Sequence, residues 1–316
     1  MANHVALAGR AGIAAAPNFD PMCVDIDDVV DRLMLWAGCF PHFSEDHARF
    51  GARLAQIIVE GIETIAGEMI GGLGSPAQQL IEDLALDIAW IFWIDDCFDL
   101  YPELSSDGLL ELGDFHLQGS CDGRALEVWS AGLVAQSFRV DERPEGAWQL
   151  WLQSAVQMIQ AFQRNKLSSR AEGRRWTYED YLANGEISSA VPHFVATVSL
   201  LYNLDLHERM DEPEVRGMIR DLSLAMRLEN DIVSAGNELE DGDNANSVLV
   251  MRHDLGLRGA VDFVERERAS HERALCSALD SLGPDPLAQI CRLVLEGAHW
   301  FHATERERYT PLRLAS

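Results

Sequence analysis

The segment that most constrains this chain is Ile88-Ala89-Trp90-Ile91-Phe92-Trp93-Ile94-Asp95-Asp96-Cys97-Phe98-Asp99, an apolar run that ends in three carboxylates. The apolar part demands burial. Asp95 and Asp99 are four residues apart, so a helix stacks them on one face, a turn apart. If that face looks inward, two like charges require a cation or a proton between them, because an unneutralised buried carboxylate is costly. If it looks outward, the same residues are an ordinary solvated acidic helix end. A second cluster favours the inward reading. Asn230, Ser234 and Glu238 fall at i, i+4 and i+8, so they also share a helical face, and all three offer oxygen. Two oxygen-lined helix faces suit a hard divalent cation such as Mg²⁺.

The rest of the chain reads as helices. Residues 1–20 read as a flexible tail and 21–316 as one all-α domain. The spacing predicts helices over 24–40, 44–69 and from Pro76 to about Tyr101, then over 106–117, 123–138, 145–168, 176–206, 213–240, 258–282 and 285–308. Strand-like alternation is absent, and no composition shift divides the chain. The 316 residues carry 51 acidic and 25 basic side chains, a net charge of −26. That field repels nucleic acid and anionic membranes, and it repels an anionic substrate unless metal neutralises the site locally. The six cysteines form no C-x-x-C pair, which fits reduced thiols in the cytoplasm. The first twenty residues lack the basic start and compact apolar core of a signal peptide, and no run is long enough to span a bilayer.

Within 176–206, Gly185, Ser188 and Ser189 are poor helix-interior residues, and Pro192 has no N–H. A helix running through would leave the Ser188 carbonyl without its usual donor, a fixed partial negative charge available to a cavity. The plainer alternative is a kink where two helices cross. Asp25-Ile26-Asp27-Asp28 matches the acid motif of protonation-type (class II) terpene cyclases. It sits in a first helical turn, where acidic residues compensate the helix dipole, and that reading is preferred.

Three motifs together carry a resemblance. Asp95-Asp96-Cys97-Phe98-Asp99 matches D-D-x-x-D, Asn230 to Glu238 matches N-D-x-x-S-x-x-x-E without a gap, and Arg308-Tyr309 matches a terminal Arg-Tyr pair. Over roughly residues 30–310 the chain resembles the bacterial class I terpene synthases. Trans-prenyl elongating synthases resemble it only at the first motif, since they carry a second D-D-x-x-D where this chain has Asn, Ser and Glu. A narrower likeness lies in Trp176-Thr177-Tyr178-Glu179-Asp180-Tyr181-Leu182-Ala183-Asn184-Gly185, in Phe92 to Cys97 and in Asp243-Asn244-Ala245-Asn246-Ser247. These resemble the small labdane-related diterpene synthases, of the ent-kaurene and pimaradiene type.

The resemblance implies a single-domain helical bundle around a central cavity and three Mg²⁺ ions. It implies an isoprenoid diphosphate substrate, a copalyl-type bicycle supplied by a separate class II cyclase, and a homodimer as a frequent state. Carried over residue by residue, Asp95 and Asp99 hold metal on one side and Asn230, Ser234 and Glu238 on the other. Arg227, Arg308 and Tyr309 donate to the diphosphate, and Asn184 occupies a diphosphate-facing position. Ser188 falls where the family places its effector carbonyl. Ile88, Ile91, Phe92, Ser223, Met226, Ser188, Trp300 and Phe301 are candidate walls of the substrate pocket. His193 and Phe194 read as core first and chemistry second. Asp96, about 100° around the helix from Asp95, reads as a salt-bridging residue.

Two positions depart from the family pattern. Asn184 stands where a diphosphate-sensing arginine is usual, and Asn237 where a lysine commonly precedes the Glu ligand. Both reduce the positive charge around a diphosphate. Two rival readings remain: a cyclase acting directly on linear geranylgeranyl or farnesyl diphosphate, and a non-catalytic helical binding protein.

Overall fold

The computed structural model of the chain describes residues 26–36, 44–69, 77–100, 145–170, 176–202, 204, 206–242 and 244–304. The tail, the helices expected over 106–117 and 123–138, and Arg308-Tyr309 lie outside them. The described elements are α1 (Ile26–Trp36), α2 (Glu45–Met69), α3 (Ala77–Leu100), α4 (Glu145–Arg170), α5 (Tyr178–Ser188) and α6 (Val191–Leu201). A 3₁₀ turn (Arg209–Asp211) precedes α7 (Pro213–Asp241), α8 (Ser247–Leu282) and α9 (Pro286–Thr304). No strand occurs among the described residues, so the expected all-α fold holds.

Close helix packing positions the later site. A Cβ on Gly51 of α2 would lie 2.5 Å from the Ala85 carbonyl oxygen and 3.0 Å from Ala89 Cβ on α3. Only glycine lets the two backbones approach this closely. One turn along, Phe50 and Phe92 meet edge to face at 4.3 Å. These contacts run antiparallel along the two helices and fix their register. Gly297 brings α9 onto α2 in the same way, with Leu54 Cδ1 2.9 Å from where its Cβ would stand.

The core between α3, α4 and α6 is rich in tryptophan, with Trp90, Trp93 and Trp151 fully buried. It also encloses a set of polar groups that partner one another. Thr197 Oγ1 donates to Asp87 Oδ2 at 2.7 Å, and His193 Nε2 lies 3.2 Å from Asp87 Oδ1. His193 Nδ1 lies 3.0 Å from Ser154 Oγ, whose hydroxyl donates to the Trp151 carbonyl at 2.8 Å. The Trp90 and Trp151 rings flank the imidazole at 5.7 and 5.3 Å. His193 is therefore a core residue.

The helical stretch over 176–206, weakened by Gly185, Ser188, Ser189 and Pro192, is two helices. α5 ends at Ser188, and Ala190 takes a left-handed conformation (φ 62°) that L side chains adopt at a cost. Pro192 becomes the second residue of α6, where a missing N–H loses no helical bond. Ser189 closes the break, accepting from Val191 N at 3.3 Å and donating to the Glu186 carbonyl at 3.0 Å.

α8 also differs from expectation. It begins at Ser247 rather than near 258, because Asn246 caps it, its side chain accepting from Val248 N and Leu249 N at 2.9 and 3.3 Å. A non-helical Gly256 (φ 68°) then interrupts it. That glycine hides the first segment from a search for continuous periodicity.

Candidate active site

The helices line a cavity that is partly open to solvent. Ile88, Ile91, Phe92 and Asp95 of α3 line it together with Met226, Arg227 and Asn230 of α7. Phe50 of α2, Phe162 of α4 and Phe194 of α6 add aromatic rings to a mainly aliphatic wall, and Ser188, Ser189 and Ala190 bring the α5–α6 break to it. Asp95 and Asn230 are 135 residues apart in sequence, yet they face one space.

The α7 side is built on buried hydrogen bonds. Asp231, fully buried, accepts from the Tyr181 hydroxyl at 2.8 and 2.7 Å and from Ser247 N at 3.0 Å, and pairs with Arg227 Nε at 3.1 Å. Arg227 Nε also donates to the Tyr181 oxygen at 2.7 Å, and Nη2 donates to the Ala245 carbonyl at 2.8 Å. The guanidinium carbon lies 5.4 Å from the Tyr181 ring centre, a cation–π arrangement. Burial works against the charged guanidinium, but Asp231 and the Tyr181 oxygen outweigh it and raise the Arg227 pKa. Burial pushes the Tyr181 phenol well above its usual range, so it remains a proton donor to Asp231. Gly185 leaves room for this: a Cβ there would lie 3.3 Å from Arg227 Cγ.

The second motif is tied to the following loop. Ser234 Oγ donates to Glu238 Oε1 at 2.6 Å. Asn246 Nδ2 donates to the Asp231 carbonyl at 2.8 Å and lies 3.3 Å from Ser234 Oγ. Asn230, Ser234 and Glu238 thus share a face and offer amide, hydroxyl and carboxylate oxygen. Across the cavity, Asp95 offers a carboxylate. Among the described residues no three His, Cys, Asp or Glu side chains cluster tightly enough to hold a metal. An all-oxygen set of this kind fits Mg²⁺ better than a soft or borderline metal.

Other expected residues fall elsewhere. Asn184 does not line the cavity: its amide faces α4, accepting from Arg164 Nε at 2.7 Å and donating to Asn165 Oδ1 at 2.7 Å and the Ala161 carbonyl at 3.0 Å. Its side chain is too short to cross α5, and α4 satisfies it first. Ser223 is fully buried and is not a cavity wall, because it lies on α7 a turn before Met226 in packed surroundings. Asp99 lies on α3, and Trp300 and Phe301 on α9, with side chains outside the described residues. Asp96 pairs with His47 Nε2 at 2.9 Å, as a salt-bridging residue would. Ser188 is 5% exposed, and its hydroxyl has no partner among the described residues.

Reading the sequence missed the supporting roles of Tyr181, Asp231, Asn246 and His47. Asp231 carried a signal, being the acid inside N-D-x-x-S that does not share the face of Asn230, Ser234 and Glu238. The others pair across long stretches of chain and leave no local pattern.

Comparison with known proteins places this geometry. Sesquiterpene synthases 1 and 2 of Postia placenta are each 29% identical over 176 residues, covering 52% of this chain and 52% of theirs. The chain therefore spans about half the length of these curated relatives. The structure of linalool/nerolidol synthase from Streptomyces clavuligerus, in complex with 2-fluorogeranyl diphosphate, matches with a TM-score of 0.68 at 17% identity, over 88% of this chain and 98% of that one. That of 2-methylisoborneol synthase from Streptomyces coelicolor A3(2), in complex with Mg²⁺ and geranyl-S-thiolodiphosphate, matches at 0.66 and 17%, over 96% of this chain and 98% of that one. At such identities the likeness is one of fold, the all-α terpenoid synthase fold. The family described as terpene synthase family 2, C-terminal metal binding, matches residues 88–274, more than half of the chain and a span that holds both motifs, and the chain belongs to that family.

Proposed function

We propose that this chain is a class I diterpene synthase that ionises a copalyl-type bicyclic diphosphate and directs the cation to a tricyclic or related diterpene, releasing diphosphate. The observation that carries the reading is the convergence of Asp95 and Asn230 on one apolar-walled cavity beside Arg227. Asp95, with Asp99, and Asn230, Ser234 and Glu238 are the residues to hold Mg²⁺. Bound there, the metal supplies Lewis-acid neutralisation of the departing diphosphate.

The chain's own groups do the rest. Arg227 lines the cavity with Nε and Nη2 engaged by Tyr181, Asp231 and Ala245, which leaves Nη1 as the nitrogen to donate. A guanidinium held in place donates to a diphosphate oxygen without first being ordered. Phe50, Phe92, Phe162 and Phe194 exclude water and offer π-faces to a cation. Ser188 brings to the cavity a buried hydroxyl that has no partner among the described residues. The bicyclic substrate is supported by the labdane-like sequence of 176–185 and 243–247, from which Tyr181 and Ser247 both bond to Asp231. A protonation-type cyclase would supply that substrate. We read the protein as cytoplasmic; no described helix is long and apolar enough to cross a membrane.

A second reading, a cyclase acting directly on a linear diphosphate, is favoured by the relatives, two of which are sesquiterpene synthases. Purified protein incubated with Mg²⁺ and each of geranyl, farnesyl, geranylgeranyl and the stereoisomeric copalyl diphosphates, with products read by gas chromatography–mass spectrometry, separates the two. Turnover of copalyl diphosphate is the expected result, and turnover of linear substrates alone selects the second reading. Asp95→Ala and Asn230→Ala should each lower diphosphate release by ~10³-fold, the scale of losing a group that acts on developing charge. Undiminished release would remove the cation assignment.

A further inference from the structure

His47 lies on the first turn of α2, and its two ring nitrogens do different work. The Ser44 backbone N–H donates to His47 Nδ1 at 3.0 Å, and Ser44 Oγ lies 2.7 Å from the same nitrogen. His47 N returns a bond to Ser44 Oγ at 3.4 Å. This is a reciprocal N-terminal cap in which histidine stands where Glu or Gln is usual. A backbone N–H can only donate, so Nδ1 is an acceptor and the ring proton sits on Nε2. Nε2–H points at Asp96 Oδ2, 2.9 Å away. The imidazole side chain is 11% exposed and the Asp96 side chain 55%.

The placement is not accidental to the packing. Gly51 against Ala85 and Ala89, then Phe50 against Phe92, set the antiparallel register of α2 and α3. His47 against Asp96 is the next rung along. It is the polar one, and it sits beside Asp95, which lines the cavity.

We propose that His47 is a positioning residue for the cation side of the site: from the α2 cap it draws Asp96 onto α2, and so turns Asp95 toward the cavity. This rests on the metal-dependent reading above. On a helix, Asp95 and Asp96 are about 100° apart, so holding one carboxylate fixes the rotation of the other. It also keeps Asp96 out of the cation's coordination sphere, where a further carboxylate would add repulsion. Partners of this kind, which orient a ligand without touching the metal, typically matter by 10–100-fold in metal affinity.

The test separates the cap from the pairing. His47→Gln can keep both, since an amide oxygen accepts from Ser44 N and the amide nitrogen donates to Asp96. His47→Glu keeps the cap, a carboxylate being a usual residue there, but faces Asp96 with a like charge. His47→Ala loses both. Mn²⁺ uptake in the presence of inorganic diphosphate, followed by electron paramagnetic resonance, and the thermal midpoint are measured for each full-length variant.

The expected pattern is wild-type uptake in the Gln variant and about tenfold or more weaker uptake in the Glu and Ala variants, with the midpoint lowered in the Ala variant alone. Uptake in the Glu variant equal to or tighter than wild type overturns the proposal. If the Glu variant does not fold, unchanged uptake in a folded Ala variant overturns it equally. An Asp95→Ala control that takes up Mn²⁺ as wild type does locates the failure in the metal reading itself, and the proposal falls with it.

Discussion

The two walls that carry the proposed cation ligands are built differently. On the α7 side, Tyr181, Arg227, Asp231 and Asn246 form an interlinked polar lattice behind Asn230 and Ser234. On the α3 side, Asp95 is aimed by packing: Gly51 lets α2 close on Ala85 and Ala89, Phe50 abuts Phe92, and one polar contact, His47 to Asp96, ends the row. Hydrogen bonds fix angles, whereas van der Waals packing fixes distance and register. A neutral amide and a hydroxyl need their orientation set by neighbours. A carboxylate at the end of a rigid apolar helix needs chiefly to be at the right height.

Substitutions that break this contrast should differ in size and in kind. The largest effect is expected from Asp231→Ala, which strands Arg227 and leaves Tyr181 and Ser247 N without their acceptor. Losing one partner of a buried pair costs about 3–5 kcal/mol, to be read from urea unfolding, and diphosphate turnover should fall with it. A loss under about 1 kcal/mol would mean that water replaces the carboxylate and that the lattice is not structural. Next is Gly51→Ala. The added methyl meets a backbone carbonyl that cannot move aside, so about 1–3 kcal/mol of strain is expected. Here the sharper readout is Mn²⁺ uptake, which should weaken if α2 sets the height of Asp95. The smallest is Asn246→Ala, at about 1 kcal/mol for a lost helix cap. Because Asn246 also braces Ser234, it should weaken metal uptake out of proportion to that stability loss, and proportionate losses would reduce Asn246 to a cap.

The helices were legible because apolar periodicity is local. The α4 and α7 limits, Glu145–Arg170 and Pro213–Asp241, lie within two residues of those the pattern predicts. The ligand faces were legible for the same reason: spacing by four is a statement about one helix. What the pattern could not supply was any side-chain partner on another element. Asn184 was read as facing the diphosphate because only its register was visible, whereas Asn165 and Arg164 on α4 decide where its amide goes. Ser223 shares the register of Met226 and Asn230, yet helices cross at an angle and their faces diverge from a straight cavity within a turn or two. The α5–α6 break was anticipated from Gly185, Ser188, Ser189 and Pro192. Its location at Ala190 was not, since alanine gives no hint of a positive φ.

The buried array of Asp87, His193, Thr197 and Ser154 has a consequence for how the chain folds. Arg227 and Asp231 are one helical turn apart and can meet as soon as α7 forms. Asp87 instead waits for Thr197 and His193, which lie 110 and 106 residues away. Until α3 docks against α6, each helix carries a polar group into an apolar contact without its partner, and loop closure over that distance must come first. Nonpolar collapse alone would permit several rotations of α3 against α6. The array rewards one of them, the rotation in which Asp87 finds both Thr197 and His193.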